Sequence, residues 1–187
     1  MRAIPALALM LALSAASCRD DNSAVPRRYA YPRVAPCDTT VVSARLGDFR
    51  IQINADADTT MPASNWLNII YPHYGVTVHL SANSFDNNSA LQAAIANRRQ
   101  RMELNFGATP AEAISFNNGA GISCTIAGSP DAGSAPVYIT AVNPHNRSML
   151  SGAAVFAGPT TPVDSVEPVY RIVYSHLLEM LETAEQN

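Results

Sequence analysis

Asn65 to Ser81, NWLNIIYPHYGVTVHLS, decides how this chain is read. Two apolar stretches, Trp66–Tyr71 and Val76–Leu80, flank a Tyr-Pro and a glycine, with Val76, Val78 and Leu80 on alternate positions. Alternation with period two is the signature of a half-buried strand, and Pro72 to Gly75 supplies the punctuation of a tight bend. Strands joined by so short a bend run antiparallel.

Working outward, Leu46 to Asn54 sets Phe49, Ile51 and Ile53 against Arg50, Gln52 and Asn54, which predicts another half-buried strand, and Ala55 to Ser64 reads as a polar loop. After a polar connection at Ser84 to Ser89, Leu91, Ala94, Ile95, Arg98 and Met102 share one side of a helix over Ala90 to Met102, which Gly107 ends. Thr109 to Glu112 has the form of a helix start, but Ile114-Ser115-Phe116 reads extended, and a short extended piece is expected there. Strands follow at Gly121 to Ala127, Val137 to Val142 and Met149 to Phe156, the last two joined by Asn143-Pro144-His145-Asn146. Val166, Val169, Tyr170, Val173, Leu177, Leu178 and Leu181 then recur at helical spacing. The sum is an α+β domain over residues 41–187, an antiparallel sheet packed with two main helices as an α/β sandwich, with a weak similarity in layout to the PsbP and Mog1 type.

Residues 1–17 carry one basic residue and then an apolar run ending in small residues before Cys18, the plan of an export signal too short for a comfortable membrane anchor. Cys18 resembles the acceptor cysteine of a bacterial lipoprotein, though Ala15 stands where many bacteria have Leu. Cleavage after Ala16, leaving a spare thiol, is the other reading. One acyl chain holds a protein weakly at ~0.8 kcal/mol per buried methylene, whereas two or three hold it firmly. Residues 18–40 are polar and punctuated by Pro26, Pro32 and Pro36, a tether. Its Arg19-Asp20-Asp21 start suits either a surface-export signal or an ordinary charged linker. Cys37 and Cys124 remain as an even pair in a compartment that permits disulfides. A bridge would contribute about 4 kcal/mol in the chain-entropy model, and two buried free thiols are the competing assignment.

Chemistry is narrowed by what is missing. The chain has 12 Lys and Arg residues against 15 acids, a formal net charge of −3 that becomes one unit more negative once Arg2 leaves with the signal. Every one of the basic residues is Arg. No basic stripe suits nucleic acid, and the Arg98, Arg99 and Arg101 cluster reads as the solvated side of a helix. Asp56-Ala57-Asp58-Thr59-Thr60 after a strand has the layout of a haloacid-dehalogenase-type nucleophile loop, but that chemistry needs a cation, normally Lys, and a second acidic pair for magnesium. Asn54, Asp56 and Asp58 have the oxygen spacing of a calcium loop, yet Thr59 replaces the required Gly and Asn65 the closing Glu. His73, His79, His145 and His176 lack metal-ligand spacing, Cys124 has no Cys-x-x-Cys partner, and no Gly-x-Ser-x-Gly or Gly-rich phosphate loop is present. These patterns imply no catalytic residue, metal or cofactor. Trp66, Tyr71, Tyr74 and His79 are the candidate interaction surface, with core and rim packing the competing role for the aromatics.

Trp66-Leu67-Asn68-Ile69-Ile70-Tyr71-Pro72 and His79-Leu80-Ser81 resemble the Trp-x-Asn-Ile-x-Tyr-Pro and following Leu-Ser of the gliding-motility lipoprotein family GldD of Bacteroidetes. Pro26-Arg27-Arg28-Tyr29 is similar to that family's Pro-Arg-Gly-Tyr, departing at Arg28, and Ala111-Glu112-Ala113-Ile114 to its Ala-Asp-Ala-Ile. Gly128-Ser129-Pro130 through Leu150-Ser151-Gly152-Ala153-Ala154-Val155-Phe156 and the final His176-Leu177-Leu178-Glu179 follow its order. The resemblance implies a membrane-anchored envelope lipoprotein, held to lipid through Cys18 at the periplasmic face or cell surface. It further implies a non-enzymatic accessory or scaffold role alongside other subunits of gliding motility or type IX secretion. The alternative is a ligand-binding or weakly catalytic lipoprotein using the acidic loop 54–60.

Overall fold

The computed structural model describes residues 40–107, 110–158 and 163–186, which belong to one compact unit. The signal, most of the tether, Cys18 and Cys37 lie outside the described residues.

The stretch from Asn65 to Ser81 folds as expected and occupies the larger of two sheets. Strand β4 (Trp66–Tyr71) pairs antiparallel with β5 (Val76–Ser84), Leu67 opposite Leu80 and Ile69 opposite Val78. Between them Pro72–Tyr74 makes one turn of 3-10 helix, closed by Gly75 in the left-handed conformation at φ 62°, a backbone state that favours glycine.

Three strands were not legible in the sequence, the last of them the two-residue piece Glu185–Gln186 at the C-terminus. The half-buried strand expected over Leu46 to Asn54 is present as β2 (Phe49–Asn54), but Leu46 belongs to a preceding strand, β1 (Val41–Leu46), which turns at Gly47, φ 56°, to form a hairpin with it. The expected polar loop over Ala55 to Ser64 contains β3 (Asp58–Ala63), which is exposed throughout and carries no apolar period to betray it. It is a strand because it pairs with β4, Thr60 opposite Asn68, and a bulge beside Pro62 blunts this sheet edge against further pairing.

Helix α1 spans Asn88–Phe106, longer at both ends than the apolar period indicated. Asn87 caps it by accepting from the Ala90 amide at 2.9 Å, and Gly107, φ 73°, terminates it as expected. Strands β6 (Glu112–Asn117), β7 (Ser123–Gly128), β8 (Val137–Asn143) and β9 (Ser148–Phe156) follow, then helix α2 (Val163–Glu182) and the two-residue β10 (Glu185–Gln186). The seven-stranded sheet runs β3-β4-β5-β9-β8-β7-β6, antiparallel throughout, and β1-β2-β10 form a second sheet.

Alternation gives the large sheet two unlike faces. One presents Leu67, Ile69, Val78, Leu80, Leu150, Ala154, Ile139, Cys124 and Ile126, all buried, and is closed by β2 (Phe49, Ile51, Ile53) and α2 (Tyr170, Val173, Leu177, Leu181). Burial of such side chains stabilises by about 1.5–3 kcal/mol each, so the core lies here. The opposite face presents Asn68, Ser81, Ser151, Thr140 and Thr125, small and polar, with the larger Trp66, His79 and Tyr138 among them, and α1 crosses it. The expected α/β sandwich is therefore present, with a second small sheet added to one of its layers. Among the described residues no helix is long and apolar enough to cross a membrane.

The C-terminus is tied back by polar side chains. Asn118 Nδ2 donates to Leu181 O at 2.9 Å and Ala184 O at 2.8 Å, while its Oδ1 accepts from the Ala120 and Ile122 amides, both at 3.0 Å. Carbonyls at a helix end have no partner within the helix, and Asn118 supplies one from the β6–β7 turn. Glu185 pairs with Arg50 on β2 at 2.5 Å, and Gln186 bonds Ser148, Asn143 and Asn146.

Candidate binding face

The acidic loop does not assemble a site. Asn54 Oδ1 accepts from the Asp56 amide at 2.9 Å, a tight side-chain-closed turn, and Asp58 belongs to the edge strand opposite Ile70. Among the described residues no three His, Cys, Asp or Glu side chains converge as a metal-binding group.

The four proposed surface residues divide between the two faces of β4 and β5. Tyr71 is buried at 4% exposure, so its assignment to an interaction surface is corrected: residue parity puts it on the core face. Half-buried Tyr74 stacks on it at 6.1 Å between ring centres, and His176 of α2 at 5.8 Å. Core packing is thus the role of both tyrosines.

Burial drives the His176 pKa below its ordinary 6.5, Glu179 pulls the other way, and Nδ1 is buried with no hydrogen-bond partner among the described residues. A histidine held neutral in the fold but free to protonate when unfolded gives full stability above pH 6.5. That stability is lost as pH falls through the unfolded value toward the depressed folded one. The urea midpoint is expected to drop between about pH 7.5 and pH 5.5, and His176→Leu to flatten that dependence.

Trp66 and His79 lie on the polar face, both exposed and joined by a residue the sequence reading did not single out. Asn68 Oδ1 accepts from Trp66 Nε1 at 2.9 Å and lies 2.7 Å from His79 Nδ1, while Asn68 Nδ2 donates to Thr60 Oγ1 at 3.1 Å. An indole nitrogen can only donate, so the oxygen of Asn68 faces it, and His79 Nδ1 must then carry a proton to bond the same oxygen. The indole and imidazole meet edge to face at 6.5 Å and 89°. The i, i+2 spacing of Trp66 and Asn68 on one strand face was the available signal. Trp66 is the sole tryptophan, 48% exposed, and is held in one orientation by side chains from three adjacent strands.

No protein-family model matches the chain, and no curated protein matches it.

The arginine cluster departs from the solvated reading at one position. Arg99 pairs outward with Glu103 at 2.8 Å and Arg101 Nε donates to Asn97 Oδ1 at 2.9 Å. Arg98, at the phase of Leu91, Ile95 and Met102, turns inward instead, its guanidinium 4.8 Å from the centre of the Tyr138 ring. Burial lowers its pKa from the usual value, Tyr138 pulls back, and the nearby charge of Arg101 lowers it again.

Cys124 is a free thiol with no exposed surface, its Sγ 3.6 Å from the carbonyls of Ile122 and Leu181. Burial pushes its pKa up to about 11, which removes the thiolate on which reactivity depends. With Cys18 and Cys37 changed to serine, native protein is expected to leave Cys124 unmodified by a thiol reagent at about pH 8, and urea to expose it fully.

Proposed function

We propose that this protein is an exported, lipid-anchored accessory or scaffold component of an envelope machine of the gliding-motility or type IX secretion kind, acting by docking rather than by catalysis. The observation that carries the docking role is the fixed Trp66–Asn68–His79 cluster. A large aromatic, exposed and already ordered by hydrogen bonds, loses little side-chain freedom on binding, and tryptophan is enriched among residues that dominate protein interfaces.

The occupant is a protein subunit of that machine. A protein held by a lipidated tether at Cys18 samples its membrane neighbours at high local concentration, and the resemblance to the GldD lipoproteins supplies the kind of neighbour. A role for the 54–60 loop is less favoured, since Asn54 closes it as a turn around Asp56 and Asp58 is committed to β3.

Rescue of a deletion strain separates the two. Trp66→Ala with His79→Ala is expected to fail to restore export or assembly while accumulating at normal level. Asp56→Ala with Asp58→Ala is expected to restore it. The reverse pattern would transfer the function to the acidic loop.

A further inference from the structure

Beside the docking cluster, α1 and the polar sheet face enclose a cleft with two limbs, of about 490 Å³ and about 270 Å³, and Ser81, Ser151, Arg98 and Arg101 line both. Trp66 and His79 rim the smaller limb. Among the described residues no carboxylate lines either limb.

The charges here are uncompensated. Arg50, Arg99 and Arg171 each meet a glutamate, but among the described residues neither Arg98 nor Arg101 has an ion-pair partner. Arg98 Nε is buried without a hydrogen-bond partner among the described residues, an arrangement that is costly for a charged donor and that a ligand acceptor would relieve. The Tyr138 ring holds this guanidinium in place, so its donors are oriented in advance. Opposite, Ser81 Oγ and Ser151 Oγ lie 3.3 Å apart. One hydroxyl can donate to the other, leaving a second hydroxyl proton for a ligand.

We propose that this cleft binds a tetrahedral oxyanion of the phosphate type, taken up by Arg98 and Arg101 from the helix and by the Ser81–Ser151 pair from the sheet. Two guanidinium charges match a dianion better than a carboxylate. Donors arriving from both helix and sheet suit the four oxygens of a tetrahedral group better than a planar one. The shared chemistry is the phosphoryl group, whether free or esterified. This inference stands apart from the docking role, because it needs neither a partner protein nor the lipid anchor.

Calorimetric titration of the intact protein in detergent with inorganic phosphate, against chloride at equal ionic strength, tests it. Saturable one-to-one binding is expected. Arg101→Gln should weaken it at least roughly tenfold. Arg98→Met, which keeps an apolar stem near Tyr138, should abolish it, and Arg99→Gln on the outer face should leave it unchanged. Should Arg98→Met fail to fold, the exposed Arg101 decides the matter. Glycerol 3-phosphate binding more tightly than inorganic phosphate, with a change in Trp66 fluorescence, would assign an esterified phosphoryl group, and equal binding a free one; both uphold the site. No saturable phosphate binding, acetate binding as well as phosphate, or an Arg101→Gln protein that binds like the parent would each overturn it.

Discussion

Gly152→Val is expected to cost more than about 4 kcal/mol, a large share of the roughly 5–15 kcal/mol that keeps a domain folded. Gly152 lies in β9 opposite Leu80 on one side and Ile139 on the other, in the interior of the seven-stranded sheet. A Cβ there would stand 2.4 Å from Leu80 Cδ2, 2.8 Å from the backbone oxygen of His79 and 3.3 Å from Ile139 Cγ1. The leucine methyl can rotate away, but the His79 carbonyl belongs to the adjoining strand and moves only with the sheet. Valine adds two further methyl groups to the same space, the overpacking that cores tolerate least. Gly158→Ala, where an added Cβ meets nothing within 4 Å among the described residues, is the control and should leave the urea midpoint unchanged. The glycine of the Leu-Ser-Gly-Ala motif thus has a packing reason, independent of any function.

Asn118→Ala should destabilise by about 2–4 kcal/mol at constant m-value. Four hydrogen bonds vanish together, and the Leu181 and Ala184 carbonyls, on residues that are themselves buried, lose the donor they share. Asn118→Asp separates the two halves of the role. A carboxylate keeps acceptors for the Ala120 and Ile122 amides but faces two carbonyls without a donor, so it is expected to be no better than alanine. A Tyr170→Phe protein gives the opposite case. The buried Tyr170 hydroxyl has no hydrogen-bond partner among the described residues, and its removal should be neutral or stabilising.

What could be read from the sequence follows from which residues carry their own signal. Val76, Val78 and Leu80 alternate because one side is buried, and the strand is visible in them. Leu91, Ile95 and Met102 mark α1 in the same way. Asp58–Ala63 has both sides in solvent, so nothing in its side chains distinguishes it from a loop; its conformation is set by the β4 backbone beside it. Val41–Leu46 is likewise mostly exposed. The polar cluster was half legible. Trp66 and His79 stood out by type, but Tyr71 was grouped with them although its parity along β4 sends it to the core. Arg98 was assigned to solvent by its charge when its helical phase placed it inward. At both sites the position along the element, and not the residue type, sets where the side chain goes.

The docking role is tested most directly by affinity purification of the intact protein from membranes, comparing the parent with Trp66→Ala/His79→Ala and with Asp56→Ala/Asp58→Ala. The account predicts that envelope-machine subunits co-purify with the parent and the aspartate variant and are lost from the Trp66/His79 variant at equal protein level. Subunits retained by the Trp66/His79 variant, or lost only from the aspartate variant, would contradict it.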